Sequence, residues 1–199
     1  MMKYERTNSV LENFRQLQKE NPSQTMEFGL KNFLRIFTRH DGFMFETLDE
    51  EFGTKKAVEL YSKIWGKRAR PEFEDLKKYL EVKGDPDMPT LAKMIKYYFD
   101  FFGNPAEVVE MSDDYVEVAV VDCPYTTEIR FNDFTEDESK HFNDSVQWDC
   151  NRTIFESFLK WSNLDDEWLF GFPSQVCRGG QACRFTFTKK QPWTGNPEG

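Results

Sequence analysis

A chain of 199 residues, 39% hydrophobic and with 20 phenylalanines, is long enough to bury a domain-sized core or line an apolar pocket. Its net charge of −9 disfavours a nucleic-acid partner, and no segment approaches the ~20 apolar residues of a membrane helix. Met1 to Glu20 is polar and charged, without the apolar run of a signal peptide, so a cytoplasmic location is expected.

The N-terminal half carries helical periodicity. Val10, Leu11, Phe14 and Leu17 form a stripe behind a cap at Asn8 or Ser9, and Asn21-Pro22 ends that helix. A second stripe through Leu30, Phe33, Leu34 and Phe37 predicts a helix from Met26 that stops at a His40-Asp41-Gly42 turn. Thr54 caps a third helix whose core face is Val58, Tyr61, Ile64 and Trp65. Pro71 lacks an N–H and clashes with the preceding turn, so the helix kinks or restarts there before running on through Phe73, Leu76 and Leu80. Lys63, Lys67, Arg68 and Arg70 read as its solvated face. Beyond a Lys83-Gly84-Asp85-Pro86 loop, Thr90 opens a fourth helix with the stripe Leu91, Met94, Ile95, Tyr98 and Phe102, ended by Gly103-Asn104-Pro105.

The period then changes. Val108 to Ser112 and Tyr115 to Cys123 have strand composition, joined by a turn at Ser112-Asp113-Asp114. Glu136 to Ser162 predicts a long helix with Val146, Cys150, Ile154 and Phe158 on one face. Trp168 to Phe172 and Arg184 to Lys189 are two further strands, with Cys177 to Cys183 as a glycine-containing hairpin loop between them. The expected class is α+β: N-terminal helices packed on a small antiparallel sheet crossed by a long helix. It divides into a helical region (1–105), a cysteine-containing α+β region (106–190) and a flexible tail (191–199), with the first two in one unit.

All four cysteines, Cys123, Cys150, Cys177 and Cys183, follow residue 120. In a reducing compartment such clustering points to metal binding or catalysis rather than a disulfide framework. A strand end, a core-facing helix position and one hairpin can converge on a tetrahedral sulfur site, which suits zinc. The spacings of 26, 26 and 5 intervening residues are not those of a metal knuckle, so buried inert thiols and a Cys177–Cys183 redox pair remain alternatives. Iron held by four thiolates ranks below zinc, because the spacing is not of ferredoxin type.

Three polar residues stand out as catalytic candidates. His141 lies about two and a half turns before Cys150 on the long helix, and Glu128 and Arg130 alternate after the Cys123-Pro124 turn. Any of them can orient a ligand or act in acid–base chemistry; the alternative is an ordinary surface charge. Tyr98, Phe102, Phe155, Phe158 and Trp161 are the substrate-binding candidates, lining an apolar pocket between the long helix and the C-terminal sheet. The competing reading is that these rings interdigitate and leave no space.

Cys123-Pro124-Tyr125 after a strand, Cys150 inside a helix and Cys177-Arg-Gly-Gly-Gln-Ala-Cys183-Arg-Phe-Thr-Phe at the end resemble the L-2-amino-thiazoline-4-carboxylic acid hydrolase-like proteins, as does the Trp65-Gly66-Lys67 region. The closing cysteine–glycine–cysteine pattern is also similar to the 4-vinyl reductase-type ligand-binding domain. The first resemblance implies hydrolysis of a C–N or C–S bond in a small cyclic substrate. The second implies a small-molecule sensor with structural zinc on Cys150, Cys177 and Cys183, and Cys123 as a fourth ligand. The expected partner is a small molecule, not nucleic acid or a membrane, and a homodimer is left open.

Overall fold

The computed structural model describes residue 19 and residues 22–123, 125–126 and 134–191. The expected helix through Val10 and Leu17, and the tail after residue 191, lie outside these. In chain order the elements are α1 (Pro22–Phe52), α2 (Thr54–Tyr79), α3 (Met88–Phe101), β1 (Ala106–Met111), β2 (Tyr115–Val120), α4 (Glu136–Trp161), β3 (Trp168–Ser174), a 3-10 turn at Val176–Arg178, and β4 (Cys183–Lys189). The four strands pair antiparallel in the order β1-β2-β4-β3. The expected α+β architecture is present.

α3 lies on β1 and β2, α4 crosses β3, α2 packs on α4, and α1 on α2. Two signals position α4. Thr135 accepts from the Glu138 backbone N–H while the Glu138 carboxylate accepts from the Thr135 N–H, a reciprocal cap that satisfies two otherwise orphaned donors. Downstream, Val146, Cys150, Ile154, Phe155 and Phe158 are all buried. Phe155 is central: its ring centroid lies 5.2 Å from Phe185, 5.5 Å from Phe170, 5.6 Å from Phe99, 5.7 Å from Phe158, 6.1 Å from Tyr98 and 6.4 Å from Phe187.

Three sequence expectations are corrected. His40-Asp41-Gly42 is not a turn, because α1 runs unbroken through it. A β-carbon on Gly42 would stand 2.8 Å from Cζ of Phe134, so the glycine serves close packing of that ring within a helix. α2 likewise continues through Pro71, bracketed by the Arg68–Glu72 and Arg70–Glu74 ion pairs and anchored by buried Ala69 and Phe73. Tertiary burial on both sides outweighs the ~3 kcal/mol that an interior proline costs. Ile64, expected in the core of α2, is 43% exposed, and Ala57, Ser62 and Ala69 take inward positions instead. The small residues matter: Gly66 lets α2 approach Thr153 on α4 so closely that a β-carbon would sit 2.9 Å from its methyl group.

Phe155→Ala is expected to lose about 3–5 kcal/mol of unfolding free energy in a denaturant titration, the cost of emptying a ring site enclosed by six others. Thr135→Ala should lose about 1 kcal/mol. A Phe155→Ala loss no larger than the cap's would show that this ring is not the centre of the core.

Candidate functional site

A cavity of about 70 Å³ opens where the helices meet one end of the sheet. One wall is α4, through Phe142, Val146, Cys150 and Ile154, which recur at helical spacing. Opposite stand Val120 at the end of β2, Phe172 on β3, and Cys183 and Phe185 at the start of β4. Leu34, Phe37 and Thr38 of α1, Tyr61 and Trp65 of α2, and Tyr98 and Phe99 of α3 close the remaining sides, with Phe102 and Asn104 just past α3. The space is about half of a ~150 Å³ cavity that encloses benzene. A ligand the size of benzene or larger therefore requires side chains to move.

A polar cluster lies against Tyr61, Tyr98 and Tyr125 of the cavity wall. The Tyr125 hydroxyl donates to Asp41 Oδ2 at 2.5 Å, and Asp41 is only 4% exposed. Burial pushes the Asp41 carboxyl up from 3.8 to about 6, against the opposing influence of the Tyr125 bond and of Arg68. Arg68 donates from Nε to Glu72 Oε1, and its guanidinium lies 4.0 Å from the Trp65 ring, 4.5 Å from Phe37 and 4.9 Å from Phe102. Several buried atoms here have no hydrogen-bond partner among the described residues: the hydroxyls of Tyr61 and Tyr98, Arg68 Nη2, Glu72 Oε2 and Asn104 Oδ1. Burial, and then Asp41, raise the Tyr61 hydroxyl well above its ordinary range; burial, and then Glu72, do the same for Tyr98. Both are neutral phenols at any physiological pH.

Cys123, Cys150 and Cys183 line the cavity and Cys177 does not. Cys150 Sγ sits 3.6 Å from Ser62 Oγ, Cys183 Sγ accepts from the Val176 N–H at 3.4 Å, and the Cys177 thiol reaches Gln175 Oε1 at 3.7 Å. Cys123, Cys177 and Cys183 feel one another electrostatically, whereas the charged groups that influence Cys150 are Asp41 and Asp149. Among the described residues no three cysteine, histidine or acidic side chains come together as a metal would require. The donor set as arranged does not fit the four-sulfur cage expected from the sequence. Cys150 Sγ instead lies against Ser62 Oγ of α2. Burial pushes Cys150 and Cys183 up to about 12 and Cys177 to about 11, and raises Cys123 too. All four are shifted away from the thiolate, the reverse of an activated nucleophile.

The other candidates divide. Tyr98 and Phe102 line the cavity. Phe155 and Phe158 are wholly buried among other rings and are not part of its wall. Trp161 packs on Phe73 at 5.5 Å, beneath the Arg70 guanidinium, also away from it. His141 is half-exposed and paired through Nε2 with Asp49 Oδ2 of α1 at 2.8 Å, so it is a surface contact between helices rather than a neighbour of Cys150. Glu128 and Arg130 lie outside the described residues. Sequence reasoning missed Asp41, Tyr61, Tyr125 and Arg68 as one cluster. The signal for Asp41 was available: it follows Leu34 and Phe37 and precedes Phe45 at helical spacing, on the core side of α1.

A family model matches residues 15–139. The chain belongs to DUF6125, a family of unknown function. No curated protein matches it. Among solved structures, it is similar to trafficking protein particle complex subunit 3 from Naegleria fowleri covalently bound to palmitic acid, with a TM-score of 0.56 and 10% identity over 81% of this chain and 97% of that one. It is also similar to the phenol-responsive sensory domain of the transcription activator PoxR with phenol, with a TM-score of 0.53 and 14% identity over 79% of this chain and 76% of that one. At such identities the likeness is one of fold. The resemblance to thiazoline carboxylic acid hydrolases finds no support in either comparison. Among the described residues no helix is long and apolar enough to cross a membrane.

Asp41 supplies a pH test. Its carboxyl protonates near pH 6 in the fold against 3.8 when unperturbed, so the folded state holds more protons between those values. Its contribution is fully present below about pH 4 and is lost as the pH rises through 6, on the order of 3 kcal/mol in all. Asp41→Asn keeps an acceptor for Tyr125 and is expected to gain on the parent protein across that window. Urea titrations of both proteins between pH 4 and 7.5 measure the difference; a constant difference would show that Asp41 does not titrate in this way.

Proposed function

We propose that this protein is a small-molecule binding module, with the ligand held in the cavity between α4 and the end of the sheet. The observation that carries this reading is the cavity itself. Large rings pack tightly on every side of it, yet the walls remain apart around Val146, Cys150 and Cys183, and buried polar atoms at one end lack partners. A core under selection for stability alone closes such a gap, since residual cavity volume and buried unpaired polar groups both destabilise. The two solved neighbours add support at the level of fold, being a structure with phenol and one with palmitic acid. Binding is favoured over hydrolysis because the thiols at the cavity are pushed up rather than down, and His141 is engaged with Asp49.

Ligand binding to the folded state alone raises unfolding free energy by about 2.7 kcal/mol at a hundredfold excess over Kd. The melting temperature is therefore expected to rise with either 1-octanol or phenol. Val146→Phe, which fills the cavity from α4, is expected to abolish the rise while leaving the helical circular dichroism unchanged. A folded Val146→Phe protein that responds like the parent would place the ligand elsewhere.

A further inference from the structure

α1 carries one apolar stripe along most of its length, and only half of that stripe is covered. Met26, Leu30, Phe33, Phe37, Met44 and Leu48 recur at helical spacing on one side of the helix. In the second half the stripe is packed. Met44 and Leu48 lie against the cluster of Phe45, Tyr61 and Phe142, and Phe37 stacks on Phe102 at 5.7 Å. Beside them Leu34 closes on Gly103, where an added β-carbon would stand 2.9 Å from its Cδ1. In the first half the same line is open to solvent: Met26 is 59% exposed, Leu30 46% and Phe33 50%. Three large apolar side chains within two turns, facing one way, form the kind of patch that marks a contact.

The sequence supplies a match for this face on its N-terminal side. Val10, Leu11, Phe14 and Leu17 are spaced as one face of a helix, outside the described residues. Asn21-Pro22 separates the two stripes. A residue before proline is pushed out of the helical region, asparagine favours the cap position, and proline favours the first position of the helix that follows, which Pro22 occupies in α1. The helical pattern is therefore interrupted there, and connections of about two to five residues are those that join antiparallel helices. The stripes are symmetric about the break. Leu17 stands four residues before Asn21, and Met26 four residues after Pro22. Val10 to Leu17 and Met26 to Phe33 are each a step of seven residues, about 10 Å of helix. Folded back, Leu17 meets Met26, Phe14 meets Leu30, and Val10 or Leu11 meets Phe33.

We propose that residues 8–20 fold back as a helix antiparallel to the first half of α1 and cover Met26, Leu30 and Phe33 of the same chain. A second copy of the chain competes for this face at a disadvantage, because a short tether holds the segment at an effective concentration of about millimolar. A helix of this length is marginal by itself in water, so its formation depends on the contact. Phe28 lies about 200° round α1 from Met26, is 71% exposed, and stays outside the contact. The inference stands apart from the binding reading, since Met26, Leu30 and Phe33 do not line the cavity.

Hydrogen exchange of the whole chain, read by mass spectrometry, tests this. Amides of residues 11–18 are expected to exchange roughly tenfold or more slowly than in an unstructured chain, and equally so in dilute and concentrated protein. Met26→Asp and Phe33→Asp on α1, and Phe14→Asp on the segment, are each expected to remove that slowing while leaving the exchange of β2 and β4 unchanged. Phe28→Asp is expected to leave it in place. Free exchange of these amides in the parent protein overturns the inference. So does slowing that survives both Met26→Asp and Phe33→Asp, which would show a helix that does not need this face. Slowing that is lost on dilution, together with a fall from dimer to monomer mass in light scattering, gives the face to a second copy and overturns it as well.

Discussion

The architecture depends on one face of α4 being buried, and on the Phe155 ring at its centre. That ring joins α3, α4, β3 and β4 through contacts with six other rings. Around it the sheet-side core extends through Phe73, Leu91, Ile95, Phe158 and Phe187. Further towards the N-terminus of the same helix, Phe142, Val146 and Cys150 belong to a second cluster with Phe45 and Tyr61 of α1 and α2. Trp65 packs against both clusters and marks their seam. The cavity lies along that seam. At Phe155 and Phe158 the α4 face is closed by other rings; nearer its N-terminus, from Phe142 to Ile154, the same face lines the cavity.

That arrangement explains how a tightly packed protein tolerates an imperfect region. The orphaned hydroxyls of Tyr61 and Tyr98 and the desolvated Asp41 carboxyl each cost stability. They are surrounded by rings whose burial offsets that cost, so the fold survives a local violation of its own packing rules. Such violations are characteristic of sites kept for function rather than for stability. Arg68 shows the same compromise: a guanidinium stacked against three rings keeps its charge, but one edge stays unpaired.

The cysteines occupy unequal places in the fold. Four thiols in the second half of a chain invite a metal cage, and three of them do share a neighbourhood in the fold. The fourth, Cys150, lies against Ser62. Burial raises all four thiols, and Cys123, Cys150 and Cys183 contribute to the cavity wall while Cys177 does not.

Periodicity alone determined the element types and their order: the 3.6-residue stripes of α2, α3 and α4, the β-branched run of β2, and the strand–loop–strand pattern that ends the chain. Tyr98, on the inward stripe of α3, and Phe102, which caps that helix, both line the cavity. Local patterns could not decide whether His40-Asp41-Gly42 bends the chain or Pro71 breaks it, since both outcomes turned on tertiary packing: Phe134 against Gly42, and α4 against the two sides of Pro71. Nor could they show that Asp41, Tyr61, Arg68, Tyr98 and Tyr125 form one cluster. These residues come from four separate segments, and each looks ordinary in its own segment. Only the stacking of α1 on α2, and of α2 and α3 around α4, brings these side chains together in the interior.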